Sequence, residues 1–143
     1  MPIDQNAIPT EVQKAYEKAL KARERAHAPY SHFKVGACLK LKGKDEYIVG
    51  VNVENVSYGA TVCAERNAFG AMISQWGLKE ADFIVVVTDS EPAAQPCALC
   101  LQVMAEFCPP EFPVYMGNLS GLQGKRTFAE LLPNPFQHFV GKD

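Results

Sequence analysis

The run Cys63-Ala64-Glu65-Arg66 opens a segment, ending at Trp76, that is rich in Ala, Met, Phe and Ile; further along comes Pro96-Cys97-Ala98-Leu99-Cys100. The first segment reads as a largely buried helix, and a second buried helix is predicted to start near Cys97. Cys97 and Cys100, spaced C-x-x-C at a helix start, can both face one ion. Cys63, at the start of the other helix, can be a third ligand. Helix N-termini favour thiolates, because unpaired N–H groups and the macrodipole stabilise negative charge there. Pro96 suits the position just before such a start.

Outward from these helices the pattern alternates. Phe83 to Val87 is a continuous β-prone run, as expected of a central strand covered on both faces. Phe33, Val35, Ala37, Leu39 and Leu41 alternate with Lys34, Lys40 and Lys42, a period of two. Gly43, Lys44 and Asp45 supply turn chemistry, and Tyr47, Val49, Val51 and Val53 resume the alternation, so the two runs read as a hairpin. Asn52 and Glu54 then share one strand face. Nearer the start, Thr10 and Gln13 form a capping-box pattern behind Pro9, and Val12, Ala15, Tyr16, Ala19 and Leu20 make one apolar helical stripe. Phe112 to Met116 reads as a further strand, and Thr127 with Glu130 as a second capping box that opens a short helix ending at Pro133. Strands alternating with helices predict a layered α/β domain with a partly parallel sheet.

Zinc takes a tetrahedral shell of sulfur and nitrogen, and a catalytic zinc keeps three protein ligands with one position open for water. Glu65 is too close to Cys63 to complete the same tetrahedron easily. It is better placed beside the open position, where a carboxylate can move a proton from water to a leaving group. Three thiolates on Zn²⁺ leave a net negative site, and Arg66 is placed to offset that charge. A second reading stays open on the cysteines alone: a closed structural zinc with Cys38 or Cys108 as the fourth ligand. His27, His32 and His138 have no partner pattern and receive no role.

The composition narrows the functional classes. The 143 residues carry a formal net charge of -2, with 48 % hydrophobic and 21 % charged residues. That suits one folded domain spanning 1–143, and gives no basic excess for gripping a phosphate backbone. A small-molecule substrate is therefore expected rather than nucleic acid. Met1 to Pro9 has neither a basic start nor an apolar run, and no apolar stretch approaches the roughly 20 residues of a membrane span. The expected location is the cytoplasm. Five cysteines, an odd number, argue against a disulfide framework.

Taken together the motifs resemble the small, homotetrameric three-cysteine cytidine deaminases. The matching blocks are Ala28-Pro29-Tyr30-Ser31-His32-Phe33-Lys34-Val35-Gly36-Ala37, Gly50-Val51-Asn52-Val53-Glu54-Asn55, Cys63-Ala64-Glu65-Arg66, Pro96-Cys97 to Gln102-Val103, and Glu130-Leu131-Leu132-Pro133. They run in the family's order, and cysteines with a glutamate in this spacing are a signature of zinc deaminases. The resemblance implies a three-layer α/β/α sandwich around a mixed sheet of about five strands. It implies Zn²⁺ on Cys63, Cys97 and Cys100, with Glu65 as the proton shuttle and Arg66 bonded to the ligand sulfurs. It further implies Phe33 as an aromatic pocket wall, Asn52 and Glu54 on the ribose hydroxyls, and the Ala64 N–H on the base carbonyl. Tyr58 and Phe136 match residues that reach into a neighbouring subunit's site, so a homotetramer with shared active sites is expected.

The implied reaction is hydrolysis of cytidine and 2'-deoxycytidine to uridine and 2'-deoxyuridine, with release of ammonia, in pyrimidine salvage. Three departures bear on it: Leu101 stands where the family has Arg, Leu99 where it has a small residue, and Gln95 where Ser or Thr is common. Asn67 also replaces a common small hydroxyl residue, and the usual acidic pattern after Phe136 is missing. These changes leave the zinc chemistry intact and alter the pocket rim. The same chemistry on another aminopyrimidine nucleoside or an aminonucleoside antibiotic is the alternative, and a non-catalytic zinc or nucleoside binder is a third reading.

Overall fold

The computed structural model describes residues 3–137; His138 lies outside them. Its sheet has the order β2-β1-β3-β4-β5, with β1 Val35–Leu41, β2 Tyr47–Val51, β3 Ala81–Thr88, β4 Pro113–Asn118 and β5 Gly121–Thr127. β3 and β4 run parallel and the other neighbours antiparallel. Among the described residues four α-helices accompany it: α1 Thr10–Arg23, α2 Ala64–Trp76, α3 Ala98–Phe107 and α4 Phe128–Leu131.

Because successive strand residues point to opposite faces, the sheet builds two cores. On one face Val12, Ala15, Tyr16 and Ala19 of α1 pack on Cys38, Phe83, Val85, Val87 and Tyr115. On the other face Ala68, Phe69 and Met72 of α2 and Leu101 and Met104 of α3 pack on Leu39, Ile84, Val86 and Val114. The result is the expected three-layer α/β/α sandwich with a mixed five-stranded sheet. Burying a side chain such as Phe69 or Met72 stabilises by about 1.5–3 kcal/mol, and Phe69→Ala would leave a cavity costing about 3–5 kcal/mol.

Two local expectations need correction. The Thr10–Gln13 capping box does not form. Pro9, with φ -58° and ψ 145°, is itself the N-cap, and its carbonyl accepts from the N–H groups of Val12 and Gln13. Thr10 is thus already helical, one position too late for its hydroxyl to cap. The second box does form: Thr127 and Glu130 each accept from the other's backbone N–H. All seven residues of β1 are buried, Lys40 included. α1 covers the side that Lys40 faces. Its ammonium stays satisfied there, 3.1 Å from both the Leu41 carbonyl and Asp82 Oδ2, and 3.6 Å from Glu11 Oε2. Finally, β2 stops at Val51, and beyond it only Val53 forms isolated bridges, with His27 and Val62.

Candidate metal centre and active site

Two helix starts meet beside the sheet. Cys63 is the N-cap of α2 and Cys97 the N-cap of α3, both in extended conformation and neither with a side-chain capping hydrogen bond. Sulfur stands where Ser or Asp would offer an oxygen, so the first-turn N–H groups are free to favour a negative charge. Gly50 sets the approach of α2 to the sheet. A Cβ at that position would overlap the backbone of Ala64 and Ala68, so glycine lets the first turn of α2 lie directly on β2. Cys100 sits one turn inside α3, on its buried side.

The three sulfurs all lie within 4.8 Å of one another, and Cys63 Sγ is 3.8 Å from Cys97 Sγ. Zinc–sulfur bonds of about 2.3 Å at tetrahedral angles place two ligand sulfurs about 3.8 Å apart. The donor set therefore fits Zn²⁺, and three sulfurs leave one position for water. Cys38 faces α1 across the sheet and Cys108 ends α3; both are buried and neither joins the cluster. The closed four-cysteine alternative finds no fourth sulfur here.

The electrostatics are those of a shared anionic cluster. The Cys63 thiol is pulled down to about 5, first by the hydrogen bond with Cys100 and then by Arg66 and Cys97. The same bond to Cys63, together with burial, pushes Cys100 up. Arg66 Nη2 donates to Cys63 Sγ at 3.5 Å and to the Thr61 carbonyl at 3.4 Å, which fixes a cation against the sulfurs. Glu65 is only 5 % exposed. Burial pushes its carboxyl up to about 7; the negative charge of Cys63 adds to the rise, while its own backbone N–H and Arg66 oppose it.

A cavity of about 160 Å³ opens on this group, lined by Phe33, Asn52, Cys63, Glu65, Thr88 and Cys97 among others. Of the residues expected at the site, Phe33 and Asn52 thus share a cavity with Glu65 and two of the sulfurs. Asn52 is buried, its Nδ2 donating to the Phe33 carbonyl at 2.8 Å and its Oδ1 accepting from the Val35 N–H at 2.9 Å. Glu54 lies just outside, accepting from the N–H groups of Tyr30 and Ser31 and from the Ser31 hydroxyl. Ala64 is buried between the first cysteine and Glu65. Tyr58 is 75 % exposed, its ring edge-on to Tyr30 at 5.8 Å. Phe136 is 67 % exposed, and its carbonyl accepts from Gln102 Nε2 at 2.7 Å. Thr61, Val86, Thr88 and Ala94 also line the cavity, and their sequence context gave no signal of it. Gln95 lines it too, which puts one of the departures from the family on the pocket wall.

The family described as the cytidine and deoxycytidylate deaminase zinc-binding region matches residues 9–116. The chain belongs to this family. Over 124 residues it is 46 % identical to the cytidine deaminase of Halalkalibacterium halodurans, covering 87 % of this chain and 92 % of that protein. Over 126 residues it is 44 % identical to the cytidine deaminase of Sporosarcina psychrophila, covering 88 % and 91 %. The crystal structure of cytidine deaminase from Burkholderia pseudomallei superposes with a TM-score of 0.79 at 40 % identity, over 86 % of this chain and 97 % of that one. Family membership and the three-sulfur cluster agree on zinc as the cofactor.

Proposed function

We propose that the protein hydrolyses cytidine and 2'-deoxycytidine to uridine and 2'-deoxyuridine, releasing ammonia. The observation that carries this reading is the burial of Glu65 in a cavity that also holds Cys63 and Cys97, in a chain of the deaminase family. Cys63, Cys97 and Cys100 hold one zinc ion. When bound, zinc supplies the Lewis acidity that makes water a competent nucleophile near neutral pH.

The chain's own groups do the rest. Glu65 takes a proton from the attacking water and delivers it to ring N3; it then takes the remaining proton from the hydroxyl now bonded to C4 and passes it to the amine, which leaves as ammonia as the C4–N bond breaks and the C4 carbonyl forms. A buried carboxyl held near neutral pKa is suited to both directions of transfer. Arg66 keeps the sulfur cluster's negative charge compensated. Phe33 forms an aromatic wall for the pyrimidine, and the Ala64 N–H, in the first turn of α2, donates to the base carbonyl. Asn52 and Glu54 meet the ribose hydroxyls. Glu54 uses three acceptor positions on Tyr30 and Ser31, and a carboxylate with about four such positions keeps one for a sugar hydroxyl.

The site is completed in a homotetramer, with Tyr58 and Phe136 covering neighbours' pockets. Their exposure on the single chain supports this, as does the small volume of the cavity that one chain encloses. Among the described residues no helix is long and apolar enough to cross a membrane. The unpaired cysteines suit the reducing cytoplasm, where the reaction would serve pyrimidine salvage. Incubating the zinc-loaded protein with a panel of aminopyrimidine nucleosides tests the reading. Ammonia release from cytidine and deoxycytidine is the expected result, and release only from other nucleosides would reassign the substrate.

A further inference from the structure

The segment from Tyr30 to Phe33 is a tight turn that carries the aromatic wall of the cavity. His32 in it has a φ of 60°, a left-handed conformation uncommon outside glycine. Such a turn persists only if neighbouring groups hold it. Two tethers fix the Phe33 backbone. Its carbonyl accepts from Asn52 Nδ2 at 2.8 Å, and its N–H donates to Ser31 Oγ at 3.0 Å. The Ser31 hydroxyl in turn donates to Glu54 Oε2, while Glu54 Oε1 accepts from the N–H groups of Tyr30, at 2.9 Å, and Ser31, at 3.1 Å. One hydroxyl therefore links the Glu54 carboxylate to the backbone of Phe33.

We infer that Ser31 is a positioning residue for the reaction: through its hydroxyl it ties Glu54 to the Phe33 turn and sets the pocket wall in place before substrate arrives. The inference rests on the cavity being the nucleoside pocket, as proposed above. A pocket wall set in advance lowers the cost of ordering on binding, and bond making at the reacting carbon does not touch it. Loss of the hydroxyl should then weaken substrate binding and leave the chemical step nearly intact. Threonine offers the same donor and acceptor, whereas alanine offers neither.

The test uses zinc-loaded wild type, Ser31→Ala and Ser31→Thr. For Ser31→Ala we expect KM for cytidine to rise about tenfold, the equivalent of roughly 1.4 kcal/mol, with kcat within about twofold and zinc content unchanged. Ser31→Thr should restore KM. Amide hydrogen exchange over residues 28–34 should be faster in Ser31→Ala than in the other two proteins, whatever the substrate. An unchanged KM in Ser31→Ala, a matched fall in kcat and zinc content, failure of threonine to rescue, or unaltered exchange would each overturn the inference. Wild-type protein that releases no ammonia from cytidine, yet shows the exchange difference, would sink the proposed substrate and leave the tether standing.

Discussion

Cys63 Sγ, at the cap of α2, lies 3.8 Å from Cys97 Sγ, at the cap of α3. Two helices that begin side by side, each with a sulfur in place of a capping oxygen, concentrate negative charge at one point, and a cation is what such a point needs. One zinc per chain is the expected content. Replacing Cys63, Cys97 or Cys100 by Ala should abolish stoichiometric zinc, while Cys38→Ala and Cys108→Ala should retain it. Metal analysis of the five purified variants decides the matter; loss of zinc from Cys38→Ala or Cys108→Ala, with a metal bond from that sulfur, would reveal a closed structural site.

Glu65→Gln should keep fold and zinc but lose turnover. The side chain is nearly isosteric, so the packing of this buried position is preserved, yet an amide cannot shuttle a proton. General acid–base transfer contributes roughly 100- to 10,000-fold. One group serving several transfers should lie at the upper end of that range or beyond. Steady-state rates on cytidine, normalised to zinc content, give the answer, and near-normal activity would take Glu65 out of the mechanism.

Stability should fall in alkali, partly through the two thiols outside the cluster. Burial pushes both Cys38 and Cys108 up to about 12 from an ordinary value of 9.0. Below about pH 9 folded and unfolded chains keep these protons alike. Above it the unfolded chain releases them while the folded chain holds them, so stability declines by about 1.4 kcal/mol per pH unit for each thiol until the folded value is reached. Urea titrations at about pH 8 and about pH 10.5 should show a smaller drop in Cys108→Ala than in wild type, by roughly 2 kcal/mol. Equal drops would mean that Cys108 ionises as easily in the folded protein.

Much of this architecture was legible in the chain because the signals were local. Cys63, Cys97 and Cys100 announce themselves by type and spacing, and both helices begin where the cysteines stand. β3 was readable from an unbroken apolar run. β5 was not, since Gly121, Gly124, Lys125 and Arg126 give a polar, glycine-containing strand, and only pairing with β4 makes it one. The burial of Lys40 was not legible for a related reason: it depends on two carboxylates supplied from α1 and β3, Glu11 and Asp82. The tether through Ser31 depends on Glu54 folding back across 23 residues, a distance over which no periodic pattern carries information.

Assembly supplies the last prediction. The cavity beside Glu65 holds about 160 Å³, whereas pockets that bury most of a drug-sized ligand run to about 300–1,000 Å³. On the reading proposed above, neighbouring subunits supply the remaining walls. Aromatic groups stand exposed on segments flanking the site: Tyr58 before α2, stacked edge-on against Tyr30, and Phe136, whose backbone is anchored to α3 through Gln102. Leu99, between two of the sulfur-bearing positions, is also 66 % exposed, an apolar group that a subunit contact would cover. Phe136 is 67 % exposed, so Phe136→Ala should raise KM for cytidine several-fold while shifting the melting temperature little, because the proposed role of the ring is a pocket wall rather than core packing. Dilution that separates subunits should remove activity and leave zinc bound, since Cys63, Cys97 and Cys100 come from one chain. Sedimentation and activity followed together over the same dilution series test both statements. A monomer with full activity would refute the shared site and leave the zinc chemistry untouched.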